Sequence, residues 1–296
     1  MRLLFLVTLT VAATSLVAQE PAFKNSLGME FVLIKPGTMQ VGVYQPTCPD
    51  PNGRGGFGGF GQGRGSGRST GRGRGPQDPR TAWTPADYAK CEELIKRDAM
   101  PGFPVEIRKA YYIGKFEVTQ GEWKKVMGTN PSVFQGNRLS DDADNHPVEN
   151  ITWQDTQVFI NKLNAREKAK VYRLPTEFEW EYAGRAGGKG QITWAEIREL
   201  AVEQLGNTLV ATTRPAGSKK PNAWGLYDML GNVWEWVQDY DNGKMFADPV
   251  PPKKGTEHVL KGGGFLADVK NVIYATHGAG PGSGYDVGFR IVREVK

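Results

Sequence analysis

Short alternating runs of hydrophobic and polar residues dominate the first third of the chain. Residues 28–34 and 39–43 flank Pro36-Gly37, which predicts two short strands joined as a hairpin. Residues 105–118 alternate in the same way and predict one or two further strands. The pattern therefore begins with β-structure whose strands are short.

Helical signals are interspersed with these strands. Thr176 and Glu179 have the spacing of a capping box, in which each residue satisfies a free backbone N–H at a helix start. Thr84 before Pro85 is a second N-terminal signal. The predicted helices cover about residues 84–97, 120–127, 153–165 and 176–185. Because helices, strands and long connections mix without a βα repeat, the predicted class is α+β with many irregular loops.

The segment 224–240, WGLYDMLGNVWEWVQDY, is dense in aromatic and acidic residues. Gly231-Asn232 predicts a tight turn, because both residues tolerate positive φ. In the strand that follows, Trp234 and Trp236 alternate with Glu235. The two indoles predict a wall of the core, and a carboxylate on the opposite side requires a partner.

The beginning of the sequence and its cysteines indicate export. Residues 1–18 combine one Arg, an apolar run and a small residue at Ala18, which predicts a signal peptide and a secreted or periplasmic protein. No later stretch is long and apolar enough to predict a membrane span. Cys48 and Cys91 are the two cysteines, and an exported protein favours a disulfide between them. The alternative is two unpaired cysteines.

Composition changes abruptly inside a Gly/Arg-rich insertion at about 48–80. Residues 53–75 contain twelve Gly and five Arg without an acid, while the whole chain of 296 residues has a net charge of +5 and a mean hydropathy of -0.47. The insertion is predicted to be flexible, because it lacks aliphatic side chains whose burial could offset the backbone entropy lost on ordering so many glycines. Its charge favours an anionic polymer as partner, although export argues against RNA, and a solvated linker is the alternative. The predicted polyanion contacts are Arg54, Arg64, Arg68, Arg72 and Arg74.

Seven ordered motifs resemble the formylglycine-generating enzyme family, also called sulfatase-modifying factor domains. They are GMEFVLIKPGTMQVG (28–42), YYIGKFEVTQGEW (111–123), HPVENITW (146–153), YRLPTEFEWEYAGR (172–185), PNAWGLYDMLGNVWEW (221–236), KGGGF (261–265) and VGFRIV (287–292). The resemblance implies one domain over residues 26–294, interrupted by the insertion, with a C-type-lectin-like α+β topology. It does not by itself imply the activity.

Enzymes of this family oxidise a substrate cysteine, and the resemblance implies two copper-binding cysteines shortly after a Gly-Gly-Ser motif. Thiolates suit Cu(I), which harder ligands do not. Here the two positions are Ala267 and Val272, and Gly264 replaces the serine. Copper is therefore not expected, and the sequence predicts a non-catalytic binding or scaffold domain for an unknown protein or an anionic polymer.

An oxidoreductase with a rebuilt pocket is the enzymatic alternative. It would use His277 together with Asp268 or Tyr274. A second enzymatic branch resembles the ergothioneine-pathway sulfoxide synthases, which bind non-haem iron through histidines. Such a three-histidine site would require His146, His258 and His277 to converge.

The resemblance also implies a structural calcium ion in segment 224–240. Side chains of Asp228, Asn232 and Glu235 and carbonyls of Gly231 and Val233 would supply the hard oxygens that Ca²⁺ prefers. The alternative is that Asp228 and Asn232 cap a turn while Glu235 pairs with an arginine.

Overall fold

A computed structural model describes residues 22–44, 48, 84–99, 101–187, 192–202, 212–267, 271–280 and 282–295. Within these ranges the strands are β1 (Ala22–Lys24), β2 (Glu30–Ile34), β3 (Gly37–Val41), β4 (Phe103–Ile107), β5 (Tyr111–Gly114), β6 (Tyr172–Arg173), β7 (Trp234–Tyr240), β8 (His258–Lys261), β9 (His277–Gly280), β10 (Val287–Phe289) and β11 (Val292–Glu294). The helices there are α1 (Pro85–Asp98), α2 (Gln120–Met127), α3 (Trp153–Arg166), α4 (Glu177–Gly184) and α5 (Trp194–Leu200). The α+β prediction is confirmed.

The described strands form three small sheets. The first has the order β1-β2-β5-β11-β6, the second β10-β7-β8-β9, and the third pairs β3 with β4. Every pair is antiparallel except β10 with β7, which runs parallel. Strands distant in sequence are thus neighbours, and β7 lies inside its sheet.

The predicted hairpin of residues 28–34 and 39–43 is wrong. Strand β2 pairs with β5, with Ile34 opposite Tyr111, whereas β3 pairs with β4. All four residues of β5 are buried, so this strand offers β2 a hydrophobic partner that the local turn does not. Long-range burial therefore decides the pairing.

The predicted helices are confirmed with small differences in their ends. Helix α4 begins at the capping box that Thr176 and Glu179 were predicted to form. The sequence reading missed α5, although Thr193 and Glu196 form a capping box of the same type. The signal for α5 was therefore present.

Strand β7 lies between two hydrophobic clusters. Trp236 is 1% exposed and belongs to a cluster with Phe159 and Phe289, while Val237 belongs to a second cluster with Trp180. Alternating residues of a strand face opposite sides, so one strand contributes to both clusters. The predicted core wall is confirmed for Trp236, and Trp234 is partly buried against the same cluster.

A disulfide joins Cys48 to Cys91, as predicted, with a sequence separation of 43 residues. Cys91 lies on α1 and is buried against the core. None of the described helices has the length and hydropathy of a membrane span.

Candidate functional site

A buried ion pair occupies the centre of the molecule. The Nε and NH2 groups of Arg290 each donate to one oxygen of Glu235, both at 2.6 Å, and Trp180 Nε1 donates to Glu235 Oε2 at 2.7 Å. Arg290 is 0% exposed and Glu235 is 1% exposed. Glu235 therefore has the arginine partner that was one of the two alternatives for this residue.

Two further carboxylates surround this pair. Glu117 accepts hydrogen bonds from Asn232 Nδ2 (2.6 Å) and Val233 N (3.2 Å), and Asp228 Oδ2 accepts from Gly217 N (2.6 Å). Burial, and then the charges of Asp228 and Glu235, raise the pKa of Glu117 well above its usual range. Burial also raises the pKa of Asp228 to about 6. One guanidinium thus faces three acids.

The predicted calcium ligands differ in how far their oxygens are already engaged. Both oxygens of Glu235 accept from Arg290, and Asn232 Oδ1 accepts from the Arg214 N–H at 2.9 Å. Asp228 Oδ1 is buried and has no hydrogen-bond partner, so it could accept a cation. A calcium ion would have to compete with Arg290 for Glu235, so Asp228 fits the predicted shell better. Calcium remains a prediction.

The positions that carry thiols in the family's enzymes lie beside the turn after β8. Val272 is 0% exposed and packs against Gly263, where an added Cβ would meet Val272 Cγ2 at 3.0 Å. Ala267 is partly buried against the hydrophobic cluster that contains Val272 and Trp180. A Cβ on Gly264 would meet Asp286 Oδ2 at 2.7 Å and Trp234 Cδ1 at 3.0 Å. Residue 264 is therefore closely packed between a carboxylate and an indole, and a side chain there would require both to move.

His277 is held by the fold. Its side chain is 1% exposed, with Nδ1 2.7 Å from Glu177 Oε1 and Nε2 2.8 Å from the carbonyl of Lys244. Lys261 Nζ lies 3.4 Å from the same Glu177 oxygen and is also buried. Burial opposes ionisation of Glu177, but the charges of His277 and Lys261 outweigh it and lower the pKa of this carboxyl. Tyr274 is buried as well.

The three histidines have separate environments. His146 contacts Thr213 and Asp141, and the ring of His258 stacks on Trp153 at a centroid distance of 3.8 Å. Neither ring shares a partner with His277. Among the described residues no group of three or more His, Cys, Asp or Glu side chains could hold a metal ion.

An aromatic rim and a second acid lie beside Gly264. Phe134 packs edge-on against Phe265 and Tyr285, with centroid distances of 5.5 and 6.3 Å, and Tyr285 is 50% exposed. The Phe134 N–H donates to Glu149 Oε1 at 2.8 Å. Burial raises the pKa of Glu149 to about 7, and the charge of Asp286 adds to this rise. Acidic and aromatic groups are therefore adjacent here.

Several predicted features lie outside the described residues. They are the signal peptide (1–18), most of the insertion, Asp268, and the five predicted polyanion contacts Arg54, Arg64, Arg68, Arg72 and Arg74. These features remain predictions.

Two charged residues at the centre of the molecule, Glu117 and Arg290, were not predicted from the sequence as site residues. Glu117 and Arg290 lie within the motifs at 111–123 and 287–292, which served only to indicate the fold. An arginine between Phe289 and Ile291 in an apolar run signals a buried charge, which requires a carboxylate partner.

The fold and these motifs define a class of protein. Residues 69–295 match the sulfatase-modifying factor enzyme 1-like domain. The chain therefore belongs to the sulfatase-modifying factor enzyme 1-like domain family, and its predicted relation to formylglycine-generating enzymes is confirmed.

Three particular proteins illustrate the similarity. The chain is 31% identical over 240 residues to chaperone protein LppX of Paenibacillus barcinonensis, covering 62% of this chain and 80% of that protein. It is 32% identical over 167 residues to the formylglycine-generating enzyme of Thermomonospora curvata, covering 49% of this chain and 50% of the enzyme. The structure of PvdO from Pseudomonas aeruginosa superposes with a TM-score of 0.64 at 20% identity, covering 94% of this chain and 100% of PvdO. The likeness to PvdO concerns the fold alone, and the chain spans about half the length of the enzyme from T. curvata.

Proposed function

We propose that this chain is an exported, non-catalytic binding domain of the sulfatase-modifying factor family. The observation that supports this most directly is the side-chain set at the thiol positions, where Ala267 and the fully buried Val272 cannot bind copper. Both cysteines of the chain are joined to each other in a disulfide, which is typical of an oxidising compartment. No free thiol remains for cysteine chemistry.

The environment of His277 gives little support to a rebuilt oxidoreductase. Both ring nitrogens face acceptors of the fold, Glu177 Oε1 and the carbonyl of Lys244, and the side chain is 1% exposed. A general base must reach the proton it removes from a substrate. A histidine sealed in this way would first have to break two internal contacts.

A polypeptide is the proposed ligand. The relative from P. barcinonensis is named a chaperone protein, and by analogy this chain would bind another protein. Tyr285 and Leu266 are exposed, at 50% and 38%, and Leu266 directly precedes the first altered thiol position, Ala267. These side chains are available for contact with a partner.

Copper binding and cysteine oxidation test this proposal. The purified chain should bind no stoichiometric Cu(I) and should leave a cysteine-containing sulfatase peptide unchanged under oxygen, while an active formylglycine-generating enzyme converts the peptide in the same assay. Conversion of the peptide, followed by mass spectrometry, would contradict the proposal.

The proposal includes a structural calcium ion at Asp228, with carbonyls of Gly231 and Val233. Its support is the buried, unpartnered Asp228 Oδ1. Calcium added to chelator-treated protein should raise the melting temperature, because a ligand at about 100 times its Kd contributes about 2.7 kcal/mol. Asp228→Asn should remove this increase, and an increase of equal size in wild type and variant would refute the site.

A further inference from the structure

A polar cleft lies at the C-terminal end of α3. Its volume is about 610 Å³, which is within the range of about 300–1,000 Å³ typical of small-molecule sites. Two alanines line it together with Asn161, Asn164, Lys168, Lys170 and Tyr172. The helix packs on the core through a different face, which includes Phe159 and Leu163. The cleft is therefore open to a ligand without any change in the core.

The cleft is basic, and its two lysines are unpaired. Lys168 and Lys170 are exposed, and neither forms an ion pair within the described part of the chain. No acidic side chain among the described residues lines the cleft. Glu167, the acid next to Lys168 in sequence, already accepts three hydrogen bonds from other residues. An anionic ligand would thus meet two free ammonium groups.

Lys168 occupies a backbone position that favours glycine. Its φ is 51°, and its N–H donates to the Ala165 carbonyl at 3.2 Å, while the Ala169 N–H donates to the Asn164 carbonyl at 2.9 Å. This pair of bonds closes a helix end at which glycine is the usual residue. A residue with a Cβ is strained there, so the backbone gains nothing from lysine. The side chain of Lys168 adds a positive charge to the cleft at a cost to the fold.

The neighbouring sheet edge does not accept an added peptide strand. β6 is the last strand of its sheet, and Asn164 Oδ1 accepts from the N–H groups of Val171 and Tyr172 at 2.9 and 3.0 Å. Asn164 Nδ2 donates to the Tyr172 carbonyl at 3.0 Å. A side-chain amide therefore occupies the main-chain groups to which an extended peptide would bind. Recognition in this cleft depends on amide and ammonium side chains, which suit hydroxyl and acidic groups.

We propose that this cleft binds a sulfated or carboxylated sugar residue of an anionic saccharide. Lys168 and Lys170 donate to the sulfate or carboxylate oxygens, and the exposed Asn161 bonds to hydroxyl groups. Charge-assisted hydrogen bonds of this type are stronger than those between neutral groups. The site goes beyond the polypeptide binding proposed above and does not depend on it.

Lysine labelling of the full chain tests this site residue by residue. The protein is acetylated briefly in the presence of sucrose octasulfate, or of sucrose as the uncharged counterpart, and each lysine is quantified by mass spectrometry. Sucrose octasulfate should slow the labelling of Lys168 and Lys170, because a sulfate group shields the ammonium with which it pairs. Lys253 and Lys254, an exposed pair outside the cleft, should react as before. Residues 53–75 contain no lysine, so binding by the insertion does not enter this measurement.

The variant Lys168→Gly separates binding from stability. It should raise the concentration of sucrose octasulfate that half-protects Lys170 by at least about tenfold, because one charge-assisted hydrogen bond is lost. The same variant should raise the melting temperature, because glycine relieves the positive φ. Lys253→Gln removes the same charge outside the cleft and is the matched control, with an unchanged half-protecting concentration. Lys170→Gln, measured at Lys168, gives a second and independent reading.

Each outcome decides the proposal. Protection confined to Lys168 and Lys170, and weakened in Lys168→Gly, supports it. Equal protection of Lys253 and Lys254, equal protection by sucrose, or an unchanged half-protecting concentration in Lys168→Gly would overturn it. Phosphatidylglycerol vesicles and polyglutamate are run in parallel. Protection of the cleft lysines by either of these, without protection by sucrose octasulfate, would assign the cleft to a membrane surface or an acidic protein and would also overturn the proposal.

Discussion

Replacing Arg290 by Met removes the guanidinium from the centre of the molecule. Its five hydrogen bonds go to both oxygens of Glu235 and to the carbonyls of Gly114, Tyr227 and Asp228. Burial opposes the charged form, but the carboxylates of Glu235, Glu117 and Asp228 outweigh this effect and raise the pKa of Arg290. The variant would leave the acids without a counter-charge.

The expected loss of stability is large. Removing one partner of a buried ion pair costs about 3–5 kcal/mol, because the other charge stays buried without compensation. A domain has a typical free energy of unfolding of about 5–15 kcal/mol, so the variant loses about a fifth of it or more. Glu235→Gln should cost less, since the glutamine oxygen still accepts from Trp180 and the guanidinium keeps Glu117 and Asp228 nearby.

Urea unfolding of a double-mutant cycle measures this coupling. The double variant Glu235→Gln/Arg290→Met should be more stable than the sum of the single losses predicts, by at least about 1 kcal/mol. Arg290→Lys keeps the charge without the two-pronged geometry and serves if the Met variant does not fold. Arg293→Met is the matched control, because Arg293 packs over the ring of Phe23 near the surface and should cost about 1 kcal/mol or less. Additive single losses, or an Arg290→Met loss no larger than that of Arg293→Met, would refute the reasoning.

Three further perturbations have defined outcomes. The folded-state pKa of Glu149, about 7, lies above its ordinary value of 4.5, so its stabilising contribution is present below pH 4.5 and is lost as pH rises through 7. Glu149→Gln should therefore gain stability relative to wild type between about pH 5 and 8, by at most about 3 kcal/mol, and parallel pH profiles in urea unfolding would contradict this. Reduction of the Cys48–Cys91 disulfide should lower the melting temperature, because it removes at most about 4 kcal/mol from the free energy of unfolding for a loop of this length. An unchanged melting temperature would show that the bridge does not stabilise the fold. Gly231→Ala should prevent folding, because φ is 79° and the Cβ would overlap the backbone of Val202. Gly225→Ala, at φ 82° in open space, should cost only about 1–2 kcal/mol in the same melts.

Local chemistry made the helices and turns predictable. The capping box at Thr176 and Glu179 places the start of α4, and the turn at Gly231-Asn232 has the positive φ values, 79° and 59°, that its residue types favour. These signals depend on residues within four positions of one another, so no knowledge of the fold is needed.

Strand pairing and the composition of the site depend on distant residues. The β2–β5 pair joins segments about 80 residues apart, which the Pro36-Gly37 turn does not indicate. The acids Glu149 and Asp286 meet because separate loops converge, and neither stands out in its own motif. Burial raises the pKa of both, and burial is a property of the folded chain.

Alternation along β7 places the Glu235–Arg290 ion pair and the surroundings of Trp234 on opposite sides of the strand. Glu235 points towards Arg290 and Trp180, while the preceding Trp234 lies against Gly264. Because successive side chains of a strand face opposite sides, a substitution next to Trp234 need not disturb the ion pair. Val272, by contrast, is fully buried in the hydrophobic cluster that contains Trp180, so an apolar side chain at this position is part of the core. The same separation explains why the motifs at 221–236 and 287–292 identify the family while saying little about the ligand.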